Sequence, residues 1–119
     1  MILIDLERKV VLMNYLEQLK NPKEKCKGLT RWWWYGCAVK KDEISKQLDE
    51  MKDKNIGGVE IQIMYPVTAD DSESGRKNIE YFSPEFFDIL DYTCAEAEKR
   101  GMTFDLTLGS SWPYGGPFV

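Results

Sequence analysis

Histidine is missing from all 119 residues. That absence excludes Ser-His-Asp and Cys-His machinery and histidine-ligated zinc within this chain. Hydrolytic chemistry would have to rest on carboxylates. Cysteine is scarce: Cys26, Cys37 and Cys94 form no C-x-x-C pair and leave one odd thiol, so buried, reduced thiols are expected and not a disulfide scaffold. No apolar run approaches the ~20 residues of a membrane span. The first apolar patch, Met1 to Leu6, is interrupted by Asp5 and Glu7, unlike a secretory leader. Positive charge is short as well, 16 Lys and Arg against 20 Asp and Glu, for a net charge of −4. Neither a nucleic acid nor a membrane is therefore an expected partner. No phosphate loop or G-x-G-x-x-G opens a helix, which counts against a nucleotide-binding sheet. No metal and no cofactor is expected.

What is present falls into alternating blocks. Residues 2–19 carry Leu3, Leu6, Val10, Leu12, Tyr15, Leu16 and Leu19 at near-helical spacing, and Asn21-Pro22 ends that pattern. Residues 1–28 read as a helical extension that packs on the main fold, and residues 29–119 as that fold. Arg31-Trp32-Trp33-Trp34-Tyr35 favours an extended chain, broken by Gly36. Lys40 to Asn55 reads as a helix with Ile44, Leu48 and Met51 on one face, stopped by Asn55, Gly57 and Gly58. A strand follows, Val59 to Met64, and then a long loop, Tyr65 to Tyr81. Asp70-Asp71-x-Glu73 in that loop lacks the glycine and terminal glutamate of a calcium loop and reads as a solvated acidic tip. Ser83-Pro84-Glu85 is a helix start. Phe87, Leu90, Cys94 and Ala97 form the expected apolar stripe, flanked by Phe86 and Ile89, and Gly101 is the stop. A third strand occupies 103–108.

Strands separated by helices are parallel and joined by right-handed crossovers. The turns entering the strands are short and the loops leaving them long and aromatic, as in α/β folds with sites at the strands' carboxyl ends. Glu60, Gln62, Asp105 and Thr107 share one strand face, opposite Val59, Ile61, Ile63, Phe104, Leu106 and Leu108. An apolar outer face and a polar inner one suit a barrel better than an open sheet, whose strands read as continuous apolar runs. The expected architecture is a partial (β/α)8 TIM-type barrel: three parallel strands, two intervening helices and an N-terminal helix.

The third strand runs into Gly109 to Val119, GSSWPYGGPFV. Glycines and prolines stiffen such a loop and would present Trp112 and Tyr114 at the strand's mouth. Aromatic rings beside small polar groups suit the apolar C–H face and hydroxyl belt of a sugar; a Gly/Pro turn with a buried Trp anchor is the plainer reading. The same design ends the two earlier strands, which makes Trp34, Tyr35, Gln62 and Tyr65 candidate sugar-facing residues. From the last loop come Ser111, Trp112, Tyr114, Gly115 and Gly116. Glu60 and Asp105 are the inward carboxylates. Both sit inside their strands, which suits structural partners for Arg31 or a backbone amide, so no catalytic residue is assigned.

RWWWYG, LDEMKDKNIGGVEIQ, SPEFFDILDY and TLGSSWPYGGP, in this order, resemble the amino-terminal part of the catalytic barrel of glycoside hydrolase family 106, the α-L-rhamnosidase-like enzymes, over roughly residues 21 to 119. The resemblance implies a (β/α)8 barrel, polysaccharide breakdown, and paired glutamates acting on rhamnosides by inversion. It departs at Asn55, where glycine or alanine is more usual, and the 119 residues reach only the third strand and its loop. The catalytic carboxylates are accordingly expected downstream, and the chain reads as a hydrolase fragment with a rhamnoside-type glycan as its partner. The alternatives are a non-catalytic sugar-binding α/β module and an interaction fragment whose aromatics are core. A reading frame continuing into further βα units would favour the hydrolase.

Overall fold

The computed structural model describes residues 14–23, 26–109, 112 and 114. Its element order is β1 (Leu29–Tyr35), α1 (Lys41–Asp53), β2 (Gly58–Met64), α2 (Pro84–Lys99) and β3 (Thr103–Leu106). The three strands make one sheet in the order β1-β2-β3, all parallel. The register pairs Leu29 with Gly58 through Tyr35 with Met64, and Gly58 with Thr103 through Ile61 with Leu106. Residues paired in register share a face, because side chains alternate along every strand. One face therefore carries Trp32, Trp34, Val59, Ile61, Ile63, Phe104 and Leu106. Both helices contribute to the core on that side, through Ile44, Leu48, Phe86, Ile89 and Ala97.

Local chemistry accounts for most boundaries. Lys40 precedes α1 in extended conformation with no side-chain cap, while Asn55, at φ +65°, turns the chain out of the helix. Gly57 and Gly58 are not the left-handed stop expected of them. Gly58 opens β2, and a Cβ there would lie 2.5 Å from the Thr103 carbonyl oxygen, so glycine permits the close approach of β2 to β3. Ser83 caps α2 by accepting from the Phe86 amide at 3.2 Å, with Pro84 in the first turn.

The apolar stripe of α2 differs from the expected one by about one position. Phe86, Ile89, Thr93, Glu96 and Ala97 are buried, while Phe87 is 42% exposed and Cys94 is exposed. Two stripes of equal spacing lie side by side on this helix. The buried one is viable despite its polar members because each is hydrogen-bonded. Thr93 Oγ1 donates to the Ile89 carbonyl, and Glu96 accepts from Ser45 Oγ, Lys99 and Arg100. Cysteine burial is likewise narrower than expected: Cys26, Cys37 and Cys94 are all free thiols, and only Cys37 is buried, which pushes its thiol up to about 12. Residues 14–20 are helical, yet all seven are exposed, Tyr15 and Leu19 included, instead of packed on the sheet. The earlier part of that expected helix, 2–13, lies outside the described residues.

Arg100, just past α2, clamps the two helices. It donates to Asp49 Oδ1 at 2.7 Å, to Glu96 Oε2 at 2.7 Å and to the Ser45 carbonyl at 3.3 Å. Hydrogen bonds from Lys99 and then Arg100 hold the Glu96 carboxyl at about 2, below its ordinary 4.5, against the opposing effect of burial. A carboxyl depressed in the folded state stabilises above its unfolded value and loses that contribution as pH falls through the folded value. The thermal midpoint of the chain is therefore expected to fall between about pH 4.5 and pH 2. In circular dichroism melts, Glu96→Gln should flatten part of that fall.

Candidate functional site

The sheet face opposite the core is layered by the register. Arg31, Glu60 and Asp105 form one row, Trp33 and Gln62 the next, and Tyr35 and Met64 a third at the strands' carboxyl ends. Past β3 two residues bond to the edge of β2: the Thr107 amide donates to the Ile61 carbonyl at 3.0 Å, and the Trp112 amide to the Ile63 carbonyl at 3.0 Å. Trp112 thereby forms a parallel bridge with Met64, and the third row becomes Tyr35–Met64–Trp112. With strands ~4.8 Å apart this row spans about 10 Å. Tyr114 extends it, its ring edge-on to Trp112 with centroids 5.3 Å apart. Tyr35, Trp112 and Tyr114 are 48%, 44% and 49% exposed.

The lowest row is committed internally. Arg31 Nε and Nη2 donate to Glu60 at 3.0–3.1 Å, and the Thr107 hydroxyl donates to Glu60 Oε1. The guanidinium also lies 5.5 Å from the centre of the Trp33 ring, a cation–π distance. Thr107 first and Arg31 second hold the Glu60 carboxyl below the usual range. A general acid needs the opposite displacement, towards neutrality. Asp105 Oδ1 accepts from the Leu106 amide at 2.8 Å. These are the structural partnerships the sequence suggested.

The loop leaving β2 is fastened at its base. Gly36, at φ +60°, donates to the Met64 carbonyl and accepts from the Ile79 amide. A Cβ there would lie 2.1 Å from Asn78 Oδ1 and 2.9 Å from Pro66 Cβ. Asn78 in turn donates to the Thr68 carbonyl and, through amide and side chain, to Asp70. Asp71 accepts from the Glu73 amide and the Ser74 hydroxyl and bridges Arg76. The acidic tip is thus a hydrogen-bonded turn, and no group of three His, Cys, Asp or Glu suited to a metal occurs among the described residues. Tyr81 Oη accepts from the Gly109 amide at 3.2 Å, tying this loop to the one after β3. A cleft of about 430 Å³ between α1 and this loop is lined by Trp32 and Ile44 of the core. It therefore opens beside the helix-covered face, away from the aromatic row.

Of the sequence candidates, Tyr35, Trp112 and Tyr114 come together, and Tyr65 follows Met64 directly and is half-buried. Trp34 does not join them. It is 1% exposed on the core face, edge-on to Trp32 at 5.5 Å, because strand alternation sends it opposite to Tyr35. Its Nε1 finds no acceptor among the described residues, whereas Trp32 Nε1 donates to Gln47 at 2.9 Å. Gln62 is on the polar face but only 2% exposed, its amide donating to the Ile63 carbonyl. It fills this face from within and does not present a polar tip. Ser111, Gly115 and Gly116 lie outside the described residues. Met64 and Trp33 were missed as site residues, although strict alternation from Gln62 and Tyr35 puts them on this face.

The model of the α-L-rhamnosidase family, glycoside hydrolase family 106, matches residues 20–119. The chain belongs to that family. Among solved structures, this family-106 chain is similar to a rhamnosidase from Novosphingobium sp. PP1Y, with 25% identity and a TM-score of 0.69 over 87% of its length. It spans 10% of that rhamnosidase chain. No curated protein matches it. Three parallel strands with their helices are thus a fold shared with a known rhamnosidase, and the sequence resemblance to family 106 holds. No helix among the described residues is long and apolar enough to cross a membrane.

With Glu60 bound to Arg31 and Thr107, the 119 residues alone are expected to release no phenol from aryl rhamnosides above background. A colorimetric assay checks this. Turnover that vanishes in Glu60→Gln would give that carboxylate a catalytic role.

Proposed function

We propose that this chain is one wall of the catalytic (β/α)8 barrel of an α-L-rhamnoside hydrolase. Residues 29–119 supply β1–β3 and their loops to the barrel, and residues 1–28 are an extension outside it. The family match begins at residue 20, nine residues before β1. The wall holds the glycan; the acid and base that cleave it come from parts of the enzyme beyond these 119 residues. The observation that carries the reading is the exposed row Tyr35–Met64–Trp112 at the carboxyl ends of three parallel strands, the end where α/β barrels bind substrate.

The division of labour follows from the chemistry. Inverting glycosidases need two carboxyls roughly 6.5–9.5 Å apart, one of them protonated. Glu60 is ionised and bonded to three donor atoms of two side chains, and Asp105 is turned to its own backbone. Glu60 is thereby held by its neighbours, and both carboxylates sit within their strands, below the row at the strand ends. The aromatic rims of Tyr35 and Trp112 offer apolar surface against which a pyranose packs its C–H face. Nothing in the described residues favours a self-sufficient sugar-binding module over this reading.

In the full-length hydrolase, Trp112→Ala is expected to weaken rhamnoside binding by about 1–3 kcal/mol, the range for one large apolar side chain. The thermal midpoint should hardly move, since Trp112 is exposed. Product inhibition by free L-rhamnose, measured by calorimetry on both proteins, reads the difference. Equal affinities for the two would remove Trp112 from the wall.

A further inference from the structure

The middle of the aromatic row is neither aromatic nor polar. Met64 pairs in register with Tyr35 on one side and bridges Trp112 on the other, and it is half-buried between two exposed rings. Its thioether donates nothing and accepts weakly, and its unbranched, polarizable side chain adapts to small apolar groups. Below it the face turns polar, through Trp33 and Gln62 to Arg31, Glu60 and Thr107. A ring laid along this row meets only hydrocarbon and sulfur at the row's centre, because the polar groups below are bonded to one another or buried.

We infer that Met64 is the specificity-determining contact for the C6 methyl group of a 6-deoxyhexoside. This rests on the proposed rhamnoside hydrolase reading. Rhamnose is 6-deoxymannose, so rhamnoside and mannoside of the same hand differ by one hydroxyl at C6. At Met64 the methyl loses water at no polar cost, while a hydroxymethyl would leave its hydroxyl without a partner. The same position separates a rhamnoside from a lyxoside, which lacks C6 altogether and leaves the space over Met64 unfilled. An apolar site rejects an added hydroxyl, or a missing carbon, by roughly 10–200-fold and no more.

The test is kcat/KM of the full-length hydrolase on aryl α-L-rhamnoside, α-L-mannoside and α-L-lyxoside, with Met64→Gln and Met64→Leu beside the parent. The expected parental preference for rhamnoside over mannoside is on the order of tens to a hundredfold. Met64→Leu should keep it. Met64→Gln, of similar length but able to bond the added hydroxyl, should bring it to within a few-fold, with a thermal midpoint near the parent's. An unchanged preference in a folded Met64→Gln enzyme overturns the inference and leaves the hydrolase reading intact. A Met64→Gln enzyme that does not fold passes the decision to Met64→Ala, whose rhamnoside-to-lyxoside preference must drop by at least several-fold for the inference to stand. A parent enzyme that cleaves none of the three sugars overturns the hydrolase reading and this inference together.

Discussion

The parallel register of β1, β2 and β3 is the constraint on which the rest of the molecule depends. Once Leu29 is opposite Gly58 and Gly58 opposite Thr103, alternation alone assigns every strand side chain to the helix face or to the other face. A one-residue slip of any strand would exchange the two. The register is protected by the absence of a side chain at Gly58, whose Cβ would collide with the Thr103 backbone. It is protected too by the Arg31–Glu60–Thr107 bonds, which stitch β1, β2 and the end of β3 across the polar face. Glu60 is in this sense a structural ion: its two strongest partners come from the strands on either side of its own.

The same constraint separates binding from chemistry. Arg31, Glu60 and Thr107, lower on the open face, are bonded to one another. Groups at the strand ends are aromatic, exposed and held on fastened loops. Gly36 and Asn78 anchor one loop, and the Tyr81–Gly109 bond anchors the next to it. A ligand reaching this surface would meet preformed apolar area with little left to order, which lowers the cost of binding.

Much of this was legible in the sequence because it depends on local rules. Ser83-Pro84 fixed the start of α2, alternation in Val59–Met64 fixed the two faces, and the pairing of Glu60 with Arg31 followed from their place within strands. The misreadings occurred where two patterns of equal quality competed. Phe87, Leu90 and Cys94 repeat as well as Phe86, Ile89 and Thr93 do; only the hydrogen bonds of Thr93 and Glu96, formed across a helix turn and to α1, decide between them. Trp34 and Tyr35 both end β1 and alternation lets only one of them face the open side; which one does depends on where the helices pack, and they cover Trp34. That Trp112 stands near the end of β1 follows from neighbouring parallel strands, but its bridge to Met64 depends on a carbonyl of another strand and is not legible in the sequence.

The central claim is that Tyr35, Met64 and Trp112 form a single sugar-facing surface. A crystal structure of the full-length protein with L-rhamnose bound tests it most directly. The account predicts sugar carbons within about 4.5 Å of all three side chains, with Glu60 still on Arg31 and Trp34 still beneath the helices. A sugar bound elsewhere, with Tyr35 and Trp112 both out of contact, would contradict it.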